Sequence, residues 1–395
     1  MNNNENTVIS FVASQLLFES AGTGGDIVFC KVAANAVDYS NEVNIIAPIY
    51  FKEKFASKKI KIRHLSLGKL DSLFYSCRYP ILVPLVYFYR IFTTLKSLNN
   101  IKSKIIFTSG DFICNTGAVF LHKIFGRKRT IWVAYVFHII PNLNFRKVGN
   151  LFGNIFSLVS QKLSLILIKN KADYVLYQNE NVREVLLSCG ISSQRLIYVP
   201  NGIELDEINR IKNNKHDKCI SACYLGRLNA TKGIIDLIRA WKIVVGEFHD
   251  AKLVIIGHGY GDYYKLIKST IEELGFERNI EITGFIDRDI VYENLASAKM
   301  FVSASYEEGW GISIMEALAF DLPVIAYDLK VYREIFKECI NTVNIGDYKE
   351  LAEKIVDIMQ HYDIYKEQVM AKKFDLCKYD WKIITKNLFK KVVVK

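Results

Sequence analysis

Two carboxylates eight positions apart, Glu308 and Glu316, are the side chains in this sequence best placed to do chemistry. They flank the turn Gly309-Trp310-Gly311, which follows the strand-like run 299–305 and precedes the helix-like run 312–320. A glycine turn between a strand and a helix directs unpaired backbone N–H groups and the positive end of the helix dipole to one point, which suits a phosphate. The carboxylates would then bind neutral hydroxyls, those of a sugar on one side and of a ribose on the other.

Glu316 also fits a purely structural role. Ser313 and Glu316 have the spacing of a capping box, in which the glutamate side chain returns to a backbone N–H at the start of the helix. Taken alone, the turn and the helix favour neither interpretation, so the rest of the chain has to decide between them.

Two cations follow the predicted strand 219–226. Arg227 and Lys232 lie five positions apart in a loop that ends at Gly233. Arginine offers a forked pair of donors and lysine a point charge, so the two can converge on a diphosphate. Loop cations are more often simply solvated, and the spacing alone leaves that alternative open.

Two further positions in the first half follow predicted strands. Gly24 and Gly25 end a glycine turn after the first strand, where backbone N–H groups can face an anion. This turn has neither the spacing of a dinucleotide fingerprint nor the lysine of a P-loop. His138 follows the strand-like run 129–137, where a histidine either contacts a ligand or has a structural role.

These residues together resemble a known enzyme family. The pair Glu308-x7-Glu316 and the run from Gly226-Arg227 to Lys232-Gly233 are similar to motifs of the retaining glycosyltransferases of family 4, which have the GT-B fold. The resemblance covers nearly the whole chain and is strongest over 172–329. Two positions depart from the family pattern: Trp310 stands where the family usually has Phe, and Ile139 follows His138 where a polar or acidic residue is usual.

The resemblance implies a role for each matched residue. Arg227 and Lys232 would stabilise the departing nucleoside diphosphate, Glu308 would bind the donor-sugar hydroxyls and His138 would position the sugar. Glu316 would bind the ribose diol. The implied catalytic residues are His138, Arg227, Lys232 and Glu308, and the implied donor-binding residues are Gly24, Gly25, Gly284, Phe285, Gly309, Trp310, Gly311, Ile312 and Glu316.

Strand-like and helix-like runs alternate along the chain and predict two α/β domains. Near-continuous apolar strands separated by helices indicate parallel sheets covered on both faces. The pattern ends near residue 200 and restarts at 219, and 395 residues are too many for one ordinary core. We predict two Rossmann-like domains facing across a cleft: an acceptor domain over 1–203, a linker over 204–218, a nucleotide-sugar domain over 219–375, and a terminal helix over 376–395 that returns to the first domain.

The positive charge of the chain is concentrated in its first half. Residues 1–200 hold 24 Lys and Arg against 11 Asp and Glu, a net of +13, whereas residues 201–395 hold 28 against 30, a net of −2. Aromatic and aliphatic runs at 74–98 and 146–169 accompany these basic residues. Such a surface suits an anionic membrane or a phosphorylated partner, and its alternative is an ordinary solvated face. No motif for nucleic acid is present.

The location is predicted to be the cytoplasm, with peripheral attachment to the inner face of the cell membrane. The polar start of the chain lacks the features of a secretion signal, and eight cysteines without a Cys-x-x-Cys pair favour reduced thiols. The most membrane-like segment, 79–98, carries Pro80, Pro84, Arg90 and Lys96, so no transmembrane helix is predicted.

The function predicted is transfer of a sugar from a nucleotide-sugar donor to a glycan or lipid-linked glycan, with retention of configuration. Neither a cofactor nor a metal is expected, because Arg227 and Lys232 would take the electrostatic role of a metal. Two alternatives remain: a sugar-nucleotide epimerase or hydrolase on the same fold, and a non-catalytic binding protein. An epimerase or hydrolase needs a further acid–base pair, and a non-catalytic protein is expected to have lost one of the charged motif residues.

Overall fold

The chain folds into two compact units, each built on a parallel sheet. The computed structural model describes residues 7–14, 24–47, 59–65, 83–126, 130–140, 151–372 and 374–393. The first unit comprises Met1–Asn201 with Trp381–Lys395, and the second comprises Gly202–Asp380. The predicted pair of Rossmann-like α/β domains is confirmed.

Strands of three to six residues form the sheet of the first unit, and they are all parallel. Their order is β3-β2-β1-β4-β5-β6-β7, so the direction of winding reverses between β1 and β4. The strands are β1 (Val8–Val12), β2 (Glu42–Ala47), β3 (Ile60–His64), β4 (Ile105–Thr108), β5 (Ile131–Tyr135), β6 (Tyr174–Tyr177) and β7 (Leu196–Tyr198).

Helices cover both faces of this sheet, as the apolar strands require. Helix α1 packs on one face, and helices α2 to α5 contribute buried residues to the core of the other face. The bounds are α1 (Gly24–Asn35), α2 (Val83–Asn99), α3 (Ile113–Phe125), α4 (Leu151–Lys171) and α5 (Glu180–Ser188).

The sheet of the second unit has the order β10-β9-β8-β11-β12-β13, again with every strand parallel. Its winding reverses between β8 and β11. Ligands of such sheets bind beyond the carboxyl ends of the strands at this reversal. The strands are β8 (Ile220–Leu225), β9 (Leu253–Ile256), β10 (Ile280–Gly284), β11 (Ala298–Ser303), β12 (Val324–Tyr327) and β13 (Asn341–Val343).

The helices of the second unit follow the strands in alternation and leave the carboxyl ends of β8 and β11 to loops. They are α6 (Leu205–Lys212), α7 (Ile234–Glu247), α8 (Gly261–Leu274), α9 (Arg288–Ser297), α10 (Ile312–Ala319), α11 (Lys330–Ile335), α12 (Tyr348–Gln360) and α13 (Tyr362–Lys372). The last helix, α14 (Trp381–Val393), belongs to the first unit, where Trp381 and Phe389 are buried in the same core as α1.

The segment predicted as a linker, 204–218, is structured over much of its length. Helix α6 occupies 205–212, and its Ile208 and Ile211 are buried in the second unit. The apolar residues of α6 recur with helical spacing among charged ones, which is typical of a helix packed on one side. The polar composition of the segment alone had predicted a linker. The units accordingly divide at 201/202 and 380/381, whereas the predicted boundaries were 203/204 and 375/376.

One helix among the described residues, α4, is long and apolar enough to cross a membrane by length and composition alone. The described part of the segment 79–98, predicted to be the most membrane-like, lies in α2. Arg90 of α2 is buried and donates a hydrogen bond to the carbonyl oxygen of Ser14.

Candidate functional site

The loop after β8 places the two predicted cations at the carboxyl end of the second sheet. Arg227 is exposed directly after Gly226, and Lys232 ends a short 3-10 turn formed by Ala230–Lys232. Gly233 then caps α7 with φ of +63°. A Cβ on Gly233 would overlap the carbonyl oxygen of Ala304. Only glycine therefore allows this loop to lie against the end of β11.

Lys232 and Glu308 form the ion pair at the centre of the site. The Lys232 Nζ lies 2.5 Å from the Glu308 Oε1, and the two side chains are only 13% and 20% exposed. The Ser305 hydroxyl donates to the same carboxylate oxygen at 3.2 Å. Neighbouring Tyr332 is buried, which raises the pKa of its phenol, and the negative charge of Glu308 raises it further. Glu308 thus accepts hydrogen bonds from both Lys232 and Ser305.

The glycine turn before α10 has the geometry that its sequence predicts. Gly311 caps the helix with φ of +99°, and a Cβ there would meet the Tyr332 ring at 2.9 Å. The N-cap residue Gly311 has no side chain that could cap this helix, which begins at Ile312, so Ser313 is its second residue. The capping-box interpretation of Ser313 and Glu316 is therefore wrong. The first N–H groups of α10 therefore receive no side-chain hydrogen bond from their N-cap residue, at the carboxyl end of β11.

Glu316 is almost fully buried, at 1% exposed, and its partner is a cation from another helix. Arg288, the first residue of α9, donates a hydrogen bond from its guanidinium to the Glu316 carboxylate. The same guanidinium lies over the Tyr292 ring at 4.6 Å. A buried carboxylate requires such a partner, because burying an isolated charge is costly. Both predicted carboxylates therefore have their own cation.

Four other predicted donor-binding residues differ in the exposure of their side chains and backbone. Gly284 ends β10 with φ of +70°, and the Phe285 side chain after it is 83% exposed. Gly309 is also exposed. Trp310, in contrast, is buried in the core of the second unit, with its ring 6.1 Å from that of Tyr379. Its side chain therefore anchors the turn, and only backbone at this position faces the site.

The predicted residues of the first unit follow two of its strands. Gly24 begins α1 and Gly25 follows in it, while the preceding residues of the glycine turn lie outside the described part of the chain. His138 is exposed three residues after β5. The sequence alone missed its neighbours, Asp111 and Gln161. The Gln161 Nε2 donates to the Asp111 Oδ2 at 2.6 Å and to the His138 carbonyl oxygen at 2.9 Å.

Asp111 is a buried carboxyl beside His138. Burial raises the pKa of Asp111, while the hydrogen bond from Gln161 and the charge of His138 act in the opposite direction.

Asp111 follows β4, so its position after a predicted strand was a signal in the sequence. Gln161 lies within α4, and Arg288 begins a helix 28 residues before Glu316. Their spacing along the chain gave no such signal.

Comparison with known proteins indicates which class of enzyme this chain is similar to. Residues 206–373 match the family model described as glycosyl transferases group 1. An uncharacterized glycosyltransferase of Methanocaldococcus jannaschii is 24% identical over 370 residues, which span 90% of each chain. A poly(glycerol-phosphate) alpha-glucosyltransferase of Bacillus subtilis is 27% identical over 215 residues, 52% of this chain and 31% of that protein.

The fold is shared with solved structures over the whole chain. The crystal structure of Anabaena HepE in complex with UDP and glucose has a TM-score of 0.71 and 15% identity, and the match covers 99% of this chain and 100% of that one. The two parallel-sheet domains thus have the GT-B architecture. Residues 206–373 match the glycosyl transferases group 1 model and the similar proteins are glycosyltransferases, so the chain is a transferase enzyme, and the epimerase, hydrolase and non-catalytic alternatives are not favoured.

The close approach of Gly233 to β11 gives a stability prediction. We expect Gly233→Ala to lower the free energy of unfolding by about 3 kcal/mol, because it combines an unfavourable φ with overlap against backbone. Gly275→Ala is the matched control: Gly275 has φ of +69° but nothing within 4 Å of a Cβ, so we expect only about 1 kcal/mol from the backbone. Urea unfolding measures both values, and equal losses would contradict the packing argument.

Proposed function

We propose that this enzyme is a retaining glycosyltransferase of family 4 that uses a nucleotide-sugar donor and no metal. The observation that carries the proposal is the Lys232–Glu308 ion pair at the point where the second sheet reverses its winding. Exposed Arg227 and the helix start at Gly311 lie in the same two loops. Together they offer positive groups for a diphosphate beside a carboxylate for sugar hydroxyls.

The diphosphate of the donor would bind between the two cationic groups and the N-terminus of α10. Arg227 would form a forked contact with the phosphate oxygens, and Lys232 would share its charge between Glu308 and the phosphate. The left-handed backbone of Gly311 would turn the first N–H groups of α10, including that of Ile312, toward the phosphate. UDP is the first nucleotide to test, since the solved structure with the same fold contains UDP and glucose.

The two carboxylates would recognise the sugar and the ribose separately. Glu308 would accept hydrogen bonds from donor-sugar hydroxyls. Glu316 would accept them from the ribose diol, with Arg288 keeping its buried charge neutralised. Gly284 and Phe285 would lie against the nucleobase, and the backbone at Gly309 and Trp310 would line the donor pocket.

The reaction would be a substitution at the face from which the leaving group departs. The bond between the anomeric carbon and the diphosphate oxygen breaks, and the acceptor hydroxyl oxygen bonds to that carbon on the same face. The acceptor proton moves to the departing diphosphate oxygen, so no separate carboxylate base is needed. Arg227 and Lys232 would stabilise the negative charge that develops on the leaving diphosphate.

The first unit would supply the remaining contacts and the acceptor. His138 would position the donor sugar, held by the network of Asp111 and Gln161, and the backbone at Gly24 and Gly25 would approach the phosphates. The acceptor would be a glycan, in keeping with the polymer named for the Bacillus relative, or a lipid-linked glycan. The excess of +13 in residues 1–200 favours a cytoplasmic protein bound at an anionic membrane surface.

The basic residues Arg127, Lys128, Arg129, Arg146 and Lys147 of this half would contribute to that attachment. They lie outside the described residues, so their contribution stays a sequence-based proposal.

Removing either side chain proposed to bind the donor should abolish most activity. We expect Arg227→Ala and Glu316→Ala each to lower turnover at least about 100-fold, because each removes a charge-assisted contact to the donor. The assay measures nucleoside diphosphate released from the donor in the presence of acceptor. Arg278→Ala, which removes an exposed arginine beside the opposite end of β10, should retain wild-type turnover. Near-normal transfer by folded Arg227→Ala would contradict the proposed role of Arg227 in binding the donor.

Chelation should leave activity almost unchanged. Arg227, Lys232 and the N–H groups after Gly311 would occupy the electrostatic role that a divalent metal has in other transferases. We therefore expect turnover within about twofold of the untreated enzyme after EDTA, measured with the same diphosphate-release assay. A strict requirement for added Mg²⁺ or Mn²⁺ would overturn the metal-independent mechanism.

A further inference from the structure

Helix α2 presents a continuous apolar stripe to solvent. Leu85, Phe88, Tyr89 and Phe92 are 64%, 62%, 49% and 51% exposed. They are spaced three or four positions apart, which places them on one side of the helix. The stripe ends at exposed Lys96.

Helix α4 presents a second stripe of the same kind. Its exposed apolar residues recur at helical spacing along the whole helix: Leu151, Phe152, Ile155, Val159, Leu163 and Ile166. Exposed Lys162, Lys169 and Lys171 interrupt or end this stripe. Single exposed apolar residues are normal, but a continuous patch of several exposed apolar side chains marks an interaction surface.

The two stripes belong to adjoining helices. The rings of Tyr87 on α2 and Phe156 on α4 meet edge to face at 5.4 Å, and both helices pack on α3 beneath them. We call the outward residues of α2 and α4 together the apolar face. The sequences of α2, α3 and α4 contain no Asp or Glu, so all the charged side chains of these helices are basic or titrate to a cation.

The inward side of α4 shows that this helix is part of the fold and does not cross a bilayer. The Ser164 hydroxyl lies 2.8 Å from the Thr116 hydroxyl of α3. Gln161 accepts a hydrogen bond from the Ile140 N–H at 2.8 Å and donates to buried Asp111. Insertion of α4 across a membrane would break these buried polar contacts, which lipid cannot replace. Only the outward stripe is free to meet lipid.

We propose that the apolar face is a docking surface for an anionic phospholipid bilayer, on which α2 and α4 lie in the plane of the interface. The argument for a bilayer is the combination of apolar side chains with lysines and no carboxylate. An amphipathic helix of this composition places its apolar side among the acyl chains while its lysines reach anionic headgroups. This pattern complements an anionic surface, whereas an acid-free face on a second copy of the chain would repel it.

The proposal deepens the proposed function by naming the membrane partner and the surface that binds it. It depends on that function only for its purpose, which is to bring the acceptor side of the enzyme to lipid-linked substrates. The outward side chains of α2 and α4 are not among the residues proposed to bind the donor, so membrane binding and nucleotide binding can each be measured without the other.

The test compares two double variants of the full-length protein. Phe88→Glu with Leu163→Glu places a carboxylate on each stripe. Leu266→Glu with Ile364→Glu is the matched control on α8 and α13 of the second unit: Leu163 and Leu266 are 49% and 50% exposed, and Phe88 and Ile364 are 62% and 55% exposed. Both variants therefore change the net charge equally at residues of similar exposure.

Binding is measured by flotation with phosphatidylglycerol–phosphatidylcholine vesicles and with pure phosphatidylcholine vesicles, at low and high salt. We expect the wild type and the α8/α13 control to float with the anionic vesicles, and a part of this binding to survive high salt because it is apolar. The Phe88→Glu/Leu163→Glu variant should bind at least about tenfold less and lose the salt-resistant part. Thermal stabilisation by UDP, GDP or ADP, measured on the same samples, should be equal in all three proteins.

Each outcome decides the proposal. Loss of vesicle binding in the α2/α4 variant alone, with its nucleotide response intact, supports it. Equal vesicle binding by the two variants, or no binding of the wild type to anionic vesicles, overturns it. So does a wild type that sediments as a dimer and a Phe88→Glu/Leu163→Glu variant that is monomeric, since the apolar face is then an interface between copies. Failure of all nucleotides to stabilise any of the proteins contradicts the proposed function and leaves the vesicle result to stand alone.

Discussion

The ion pair of Lys232 and Glu308 is the interaction on which the arrangement of the site depends. It joins the loops after β8 and β11, the two neighbouring strands at which the second sheet reverses its winding. Both charges are mostly shielded from water. The pair therefore depends on the close approach of the two loops as well as on the attraction between the charges. Gly233 against the Ala304 carbonyl brings the first loop close, and Gly311 against Tyr332 turns the second loop into α10.

This arrangement balances most of the charge within the site. Glu308 is paired with Lys232, and Glu316 is paired with Arg288, so exposed Arg227 is the cation of these loops without an ion-pair partner among the described residues. A diphosphate would bring two or more negative charges to this point and would draw Lys232 partly away from Glu308. The Glu308 carboxylate would then have acceptor capacity for sugar hydroxyls. Donor binding and sugar recognition would therefore be linked through one lysine.

Much of the fold and of the central site could be predicted from the sequence. Near-continuous apolar runs that alternate with helix-like runs predicted the parallel sheets. The glycine turns beside charged residues singled out Arg227, Lys232, Glu308 and Glu316, which lie in the loops after β8 and β11 and in α10. These predictions depend on local chemistry, because a strand end, a glycine turn and a helix start are neighbours along the chain.

What could not be predicted depends on contacts between distant residues. The pairing of Arg288 with Glu316 and the bridging of Asp111 by Gln161 join different helices and loops, and no spacing in the sequence indicates them. The apolar residues of α2 and α4 are ambiguous for the same reason. A sequence shows that Phe88 and Leu163 are apolar, but only the packed helices show that they are exposed. The three residues of β13 were too few to give a periodic pattern.

The most direct test of the account is the affinity of the protein for nucleoside diphosphates before and after the loss of one cation. Calorimetric titration of the wild type and Lys232→Gln with UDP, GDP and ADP, and with the corresponding nucleosides, measures it. The account predicts that at least one diphosphate binds the wild type and binds Lys232→Gln at least about tenfold more weakly, while its nucleoside binds both proteins equally. Equal affinity of the two proteins for every diphosphate, or no binding of any of them to the wild type, would contradict the central claim that Lys232 shares its charge between Glu308 and the donor.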